Sequence, residues 1–495
     1  MTLTVSPSDS DLYDKSEDSW WHWIKWIPTS NEKLVQAEDK ILQRCKCKLE
    51  KFFLPIFNST LFLRTIIARN WYSDDCTEFE SRVPLVLIHG FASGVGLWCK
   101  NLDSLSASRT VYAFDMLGFG RSSRPPFPNT AEEVENKFVE VIEEWRKTMN
   151  LDKFILLGHS MGGFLASSYA LSHPERVVHL VLIDPWGFIG QQESTTIPVS
   201  GFRAWLLRKL SSFRALATMR MVGPFGLNAM RKVRQDFEQV FYQQPWPLDE
   251  VEMLPQLGEI QSDISEPTER RSELPLKASS VETTQTSIHK QTKNNTDFDS
   301  ISPFDPAVVY NYIYHINVRH PSGEDAFRSM SQVLGWAARP MLHRIPLLDS
   351  DVPITFIYGG RSWVDMSSGL RVRSLRPNSY VDVMVIEGGG HHAYAQYADE
   401  FNAYVNAIAR LVDRGHDFRP GSEEFVQLEM TPAEVTTPPS PPEASGNHIR
   451  RSSKSGITTS GGEKTRRQRP SHSNLAFQQF STVCPVDASD EDSSS

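Results

Sequence analysis

The chain has 495 residues, a formal net charge of −9 and a hydrophobic fraction of 40%, which includes 12 tryptophans and 27 phenylalanines. A modest negative charge on so long a chain gives no sign of nucleic-acid binding. The five cysteines lack framework spacing, which indicates a reducing compartment, and Cys45-Lys-Cys47 lacks the second pair of a structural zinc site. No apolar run is long enough for a transmembrane helix, and the polar start argues against a cleaved signal peptide. We therefore expect a large core, no metal, and a cytoplasmic or peripherally bound protein.

Residues 1–30 combine a polar start, which is predicted to be disordered, with a tryptophan cluster. The cluster is made up of Trp20, Trp21, Trp23 and Trp26. A segment docked on the core is one interpretation, but four indoles beside a disordered tail are hard to bury together. Because indole favours the membrane–water interface, the cluster predicts a shallow lipid anchor. Directly afterwards, Thr29 with Glu32 three residues later predicts a capped helix.

Residues 31–189 are predicted to form the first part of the core. Residues 50–80 predict short antiparallel strands, and apolar runs alternate with helical patterns throughout residues 83–188. The runs begin near Val83, Thr110, Phe154 and Val177. Continuous apolar runs are typical of strands that are buried on both faces of a parallel sheet. The alternation predicts the first part of a doubly wound α/β core.

The pattern stops at residues 190–350 and resumes in residues 351–419 with two strands and a closing helix, the second part of the core. We call residues 190–350 the lid segment, because an interruption at this point predicts a helical lid over the C-terminal edge of the sheet. Residues 255–300 are polar and predict a disordered insertion, and residues 420–495 predict a disordered tail. Residues 201–235 contain eight basic residues and no acidic one. This pattern fits an anionic lipid surface or headgroup, or else an ordinary helix with a solvated basic face.

The stretch Gly158-His-Ser-Met-Gly162 lies between a strand pattern and a helix pattern. Its G-x-S-x-G spacing is that of the nucleophile elbow of α/β hydrolases, where the serine occupies a strained turn and glycines keep the strand–helix crossing open. We therefore predict an α/β-hydrolase fold, with a mostly parallel sheet and Ser160 as nucleophile. The backbone N–H groups of Phe91, after a His-Gly pair, and of Met161 are the predicted oxyanion-hole donors.

A serine nucleophile needs a base, and the chain order Ser…Asp…His of this fold places the acid and the histidine after the lid segment. His391 is the predicted base, because its glycine-rich loop follows the final strand. His392 is the less favoured alternative, since neighbouring side chains point apart. Asp365 is the predicted acid that orients the imidazole and stabilises its protonated form.

Other ionisable residues near the predicted site receive supporting roles or none. Asp184 comes too early in the chain order to be the acid, and Asp382 lies mid-strand and faces away. Asp115 is predicted to brace a turn, and His89 to hold its loop by hydrogen bonds. Nothing in the pattern requires a metal or an organic cofactor.

Taken together, these residues resemble one branch of the α/β-hydrolase-domain lipid enzymes. This branch contains the N-acyl-phospholipid lysophospholipase and the lipid-droplet coactivator of triglyceride lipase. The matching stretches include Asp184-Pro-Trp-Gly-Phe188, Tyr312-Ile-Tyr-His-Ile-Asn-Val318 and Pro321-Ser-Gly-Glu324. The resemblance implies a serine hydrolase that cleaves acyl esters of (N-acyl) phospholipids or lysophospholipids. It also implies that the protein acts at a membrane or lipid-droplet surface, bound peripherally to droplets, endoplasmic reticulum or mitochondrial membranes. A lipase or a droplet-coat protein is the implied partner.

Two positions distinguish the activities within this branch. The coactivator has an asparagine at the nucleophile position, so Ser160 makes this chain similar to the hydrolytic members. The branch is also associated with a His-x4-Asp motif for acyl transfer to lysophosphatidic acid. Here the fifth residue after His391 is Gln396, and Asp399 comes three residues later. An acyltransferase that makes phosphatidic acid and a non-catalytic coactivator therefore stand as alternatives.

Overall fold

The computed structural model describes residues 29–69, 81–190, 216–242, 307–332 and 336–418. Several predicted features lie outside the described residues: the tryptophan cluster, residues 201–215 of the basic stretch, the insertion at 255–300 and the tail from 420.

Eight strands form one sheet in the order β1-β2-β4-β3-β5-β6-β7-β8. Their bounds are β1 Lys48–Ile56, β2 Leu61–Arg69, β3 Leu85–Ile88, β4 Val111–Phe114, β5 Phe154–His159, β6 Val177–Ile183, β7 Ile354–Gly359 and β8 Val381–Ile386. β2 pairs antiparallel with β1 and β4, and all other pairs are parallel. The predicted mostly parallel sheet is confirmed, and the carboxyl ends of its parallel strands share one edge.

The described helices flank this sheet and fill part of the lid segment. Their bounds are α1 Asn31–Leu42, α2 Leu102–Leu105, α3 Ala131–Thr148, α4 Met161–Ser172, α5 Ala217–Met221, α6 Gly226–Val233, α7 Asp236–Tyr242, α8 Ala307–Asn317, α9 Ser322–Met330, α10 Ser367–Leu375, α11 Ala393–Gln396 and α12 Ala398–Asp413. Helices α5 to α9 fall between β6 and β7, where the strand pattern of the sequence stops. Among the described helices, none has the length and apolarity needed to cross a membrane.

The start of α1 differs from the sequence-based expectation. Ser30, and not Thr29, is the N-cap, because Ser30 has the extended backbone of a cap and its hydroxyl accepts from the N–H of Lys33 at 3.2 Å. Thr29 instead forms a hydrogen bond to the lid segment, with its hydroxyl 2.9 Å from Nδ1 of His315 on α8. The first described residues are thereby attached to the lid segment.

Helix α8 connects the lid segment to the loops at the carboxyl edge of the sheet. Every residue of α8 is buried. The amide of Asn317 donates to the carbonyl of Ala92 at 2.8 Å, and the hydroxyl of Tyr312 accepts from the N–H of Gly96 at 3.0 Å. Both loop residues follow β3, so α8 lies above the edge where catalytic loops of this architecture are found.

A buried histidine on β6 makes the stability of the fold depend on pH. His179 is completely buried, its Nε2 lies 2.9 Å from the hydroxyl of Thr355, and its Nδ1 has no hydrogen-bond partner among the described residues. Burial lowers the pKa of His179 to about 3. Between pH 6.5 and this pKa the unfolded chain binds a proton that the folded chain does not, so stability falls by about 1.4 kcal/mol per pH unit as the pH drops.

We therefore expect the thermal unfolding temperature to be lower at pH 5 than at pH 7. His179→Gln provides the matched comparison, because glutamine does not titrate and retains a polar group near Thr355. The variant should show a smaller pH-dependent fall in unfolding temperature than the wild type. Equal falls in both proteins would contradict the assignment of this pH dependence to His179.

Candidate active site

Ser160 stands at the tip of a sharp turn between β5 and α4. Its backbone angles, φ 54° and ψ −119°, are rarely adopted by residues other than glycine. A Cβ on Gly158 would come within 2.4 Å of the carbonyl oxygen of Gly162, and one on Gly162 equally close to that of Ile88. Both glycines of the motif are therefore required by the close approach of strand and helix, as the sequence pattern predicts.

The structure brings the predicted nucleophile and base together. Nε2 of His391 lies 3.0 Å from Oγ of Ser160, although the two residues are far apart in the chain. Burial lowers the pKa of His391 well below 6.5, with smaller contributions from His159 and Arg234. The imidazole is therefore neutral near pH 7 and able to accept the proton of the hydroxyl. The ring of the neighbouring His392 packs against Phe237 instead, with 5.3 Å between centroids.

The carboxylate that faces the other side of His391 belongs to Asp184. Oδ2 of Asp184 lies 3.9 Å from Nδ1 of His391, which is longer than a hydrogen bond. Asp184 follows β6, has a positive φ of 39°, is fully buried and accepts from the N–H of Gly359 at 3.3 Å. Burial raises the pKa of Asp184 well above its usual value, and hydrogen bonds from Gly359 and Ser362 act in the opposite direction. A positive charge that forms on His391 would favour the ionised form of Asp184.

The structure does not place Asp365 against His391, contrary to the chain-order prediction. Asp365 is exposed, and its carboxylate accepts from the N–H and the hydroxyl of Ser367 at 2.8 and 2.6 Å. The physical reason lies in the strand order: β6 is the neighbour of β5, whereas β7, which precedes Asp365, lies one strand further away. The other rival, Asp382, pairs with Arg373 at 2.9 Å and also does not face the histidine.

The two predicted oxyanion-hole donors lie in segments that contact the nucleophile. A Cβ on Gly90 would come within 3.1 Å of Cβ of Ser160, so the loop after β3 lies directly against the elbow. Phe91 is the next residue of this loop, and its ring stacks on Phe327 of α9 with 4.4 Å between centroids. Met161 is the first residue of α4, where backbone N–H groups have no partner within the helix.

Residues 83–396 of the chain match the family described as alpha/beta hydrolase fold. The chain belongs to this family. Among its relatives, the 1-acylglycerol-3-phosphate O-acyltransferase ABHD5 of Sus scrofa is 39% identical over 83% of this chain and 100% of its own length. The corresponding protein of Homo sapiens has the same identity and the same coverage. The (lyso)-N-acylphosphatidylethanolamine lipase of Mus musculus is 39% identical over 78% of this chain and 94% of its own length.

His89 and Asp115 hold the loops at the carboxyl edge of the sheet by hydrogen bonds. Nε2 of His89 accepts from the N–H of Met116 at 2.9 Å, and burial lowers the pKa of His89 to about 4, so the ring is neutral. Asp115 accepts from the N–H groups of Val95 and Arg121, both at 2.7 Å. These contacts agree with the supporting roles that the sequence suggests for His89 and Asp115.

Sequence reasoning missed two residues that hold the histidine loop of the hydrolase. Oε1 of Gln396 accepts from the N–H of Gly390 at 2.8 Å. Nε2 of His159 lies 2.8 Å from the carbonyl oxygen of His391. The available signals were the position of His159 directly before the serine of the G-x-S-x-G motif and the short spacing between Gly390 and Gln396, and neither identifies a partner.

Proposed function

We propose that this protein is a serine hydrolase that cleaves acyl esters of (N-acyl) phospholipids or lysophospholipids. The observation that carries the proposal is the 3.0 Å contact between Oγ of Ser160, in a strained elbow, and Nε2 of His391. The substrate class comes from the relatives named (lyso)-N-acylphosphatidylethanolamine lipase. The reaction needs no group beyond the residues of this site and water.

In the proposed mechanism, His391 takes the proton of Ser160 while Oγ attacks the ester carbonyl carbon. The electron pair of the carbonyl moves to its oxygen, which the N–H groups of Phe91 and Met161 stabilise. The ester C–O bond then breaks as His391 gives the proton to the leaving alcohol, and the acyl group stays on Oγ of Ser160. A water that gives its proton to His391 attacks this acyl group. The bond to Oγ breaks as His391 returns the proton to Ser160, and the fatty acid is released. We assign the stabilisation of the imidazolium to Asp184, since catalytic contacts that are long without substrate commonly tighten in the reacting complex.

Acyl transfer to lysophosphatidic acid, giving phosphatidic acid, is the second candidate, because the ABHD5 relatives are named for it. The residue five positions after His391 argues against it here. Gln396 carries no carboxylate and is engaged as an acceptor for Gly390, while Asp399 is exposed in the first turn of α12. A purely non-catalytic coactivator is the third candidate, and such a protein would need neither the serine hydroxyl nor the histidine beside it.

We further propose that the hydrolase works peripherally on lipid droplets or on endoplasmic reticulum or mitochondrial membranes. In the described part of the lid segment, the side chains of Met221 and Phe225 are 63% and 68% exposed. Lys232, further along the chain in α6, is also exposed, and residues 216–235 contain no acidic side chain. Exposed apolar groups in a segment with basic and no acidic residues suit an anionic lipid surface. A lipase or a droplet-coat protein remains the proposed protein partner.

The function is tested with purified protein and vesicles that contain an N-acylphosphatidylethanolamine or a lysophospholipid. We expect the wild type to release free fatty acid and to be labelled by a fluorophosphonate probe, and Ser160→Ala to do neither. Ser172→Ala, the same change at the far end of α4, is the matched control and should behave as the wild type.

A separate arm of this experiment supplies acyl-CoA and lysophosphatidic acid. Phosphatidic acid formation that persists in Ser160→Ala would favour the acyltransferase. If the wild type is neither labelled nor able to release fatty acid from either lipid, the hydrolase proposal is wrong.

A further inference from the structure

His159 connects the strand that carries the nucleophile to the loop that carries the base. It is the last residue of β5, immediately before Ser160, and only 2% of its surface is exposed. Its Nε2 lies 2.8 Å from the backbone carbonyl oxygen of His391. One side chain therefore joins two segments that must keep a fixed distance for proton transfer between Ser160 and His391.

The chemistry of this contact determines which nitrogen of His159 carries the hydrogen. A carbonyl oxygen only accepts, so Nε2 must be the donor. In the neutral ring, Nδ1 then carries no hydrogen. Nδ1 is buried without a hydrogen-bond partner among the described residues, and a Cβ on Gly90 would come within 2.9 Å of it. Burial also lowers the pKa of His159 to about 4. The ring is thus a neutral donor with a single tautomer, which is unsuited to exchanging protons during a reaction.

The loop that His159 holds is built from residues with little conformational preference. Three consecutive glycines precede His391, and Gly388 has a φ of 77°. Other bonds also restrain the glycines. Gly389 and Gly390 donate to the carbonyl of Ile386 and the side chain of Gln396, and their carbonyls accept from the N–H groups of Arg361 and Ala393. None of these bonds reaches β5. The bond from His159 joins the backbone of the base itself to the strand of the nucleophile.

We propose that His159 is a positioning residue that holds Nε2 of His391 within reach of Oγ of Ser160. The inference rests on the proposed hydrolase function and extends it to a buried residue beside the reacting pair. The competing explanation is packing alone, because the ring of His159 also lies 4.8 Å from that of Tyr394 and 5.3 Å from that of His392. The two explanations differ in whether the donor nitrogen or the ring shape matters.

Two substitutions separate the donor from the ring. His159→Gln keeps an amide donor near the position of Nε2, and His159→Phe keeps an aromatic ring without any donor. Displacing a catalytic group by about 1 Å costs up to about 100-fold in rate. We therefore expect His159→Phe to lower kcat for a short-chain ester by about 10- to 100-fold with KM changed by less than about threefold, and His159→Gln to stay within about threefold of the wild type.

The rate of fluorophosphonate labelling of Ser160 should follow the same order, with unfolding temperatures measured to confirm that each variant is folded. Wild-type kcat in a folded His159→Phe variant, or equal losses in the two variants, would overturn the positioning role. If both variants fail to fold, the unfolding data assign His159 to packing and also overturn it. Failure of the hydrolase proposal itself is recognised separately, because the wild type would then show no labelling.

Discussion

Replacing His391 by alanine is expected to lower kcat for ester hydrolysis by about 10⁴- to 10⁶-fold, the range found when a member of a serine triad is removed. The reason is the 3.0 Å contact with Ser160, since a hydroxyl without a base is a poor nucleophile near neutral pH. KM should change little, because the imidazole acts on the proton and not on the bound lipid. The measurement is steady-state hydrolysis of a soluble short-chain ester, which removes any dependence on lipid surfaces.

The adjacent histidine provides a matched control for this substitution. His392 occupies the same loop, but its ring packs on Phe237 of α7. His392→Ala should therefore retain kcat within about tenfold of the wild type. A larger loss in His392→Ala than in His391→Ala would contradict the assignment of the base.

The second large effect separates the two candidate acids. Asp184→Asn is expected to lower kcat by about 10⁴-fold, the loss observed when the acid of a serine triad becomes an amide. Asp184 is the carboxylate 3.9 Å from Nδ1 of His391, whereas the carboxylate of Asp365 is held by Ser367 in an exposed turn. Asp365→Asn should accordingly stay within about tenfold of the wild type.

The Asp184→Asn variant should also remain folded, which keeps this comparison interpretable. A neutral amide is easier to bury than a carboxylate, and burial already raises the pKa of Asp184. Unfolding temperatures of both variants check this point. A larger loss of kcat in Asp365→Asn would show that the chain-order prediction is right, and that the loop after β7 rearranges to bring Asp365 to the histidine during catalysis.

Much of this molecule follows from local patterns in its sequence. Continuous apolar runs determine the buried parallel strands, because such runs leave no polar face for solvent. The spacing of Gly158, Ser160 and Gly162 determines the elbow, since the steric limits of a strand–helix crossing act over only five residues. The position of His391 after the last strand is equally local. The sheet class and the pairing of Ser160 with His391, which we propose as nucleophile and base, were therefore predictable from the sequence.

Only the tertiary structure shows which side chains these residues contact. Asp184 and Asp365 both follow strands whose carboxyl ends share one edge, and chain order does not say which carboxylate turns towards His391. That choice depends on the neighbouring strand and on Ser367, which engages Asp365. The bond from His159 to His391 likewise joins residues that are 232 positions apart. Hydrogen bonds of this kind depend on how loops pack in three dimensions, so no local periodicity or spacing encodes them.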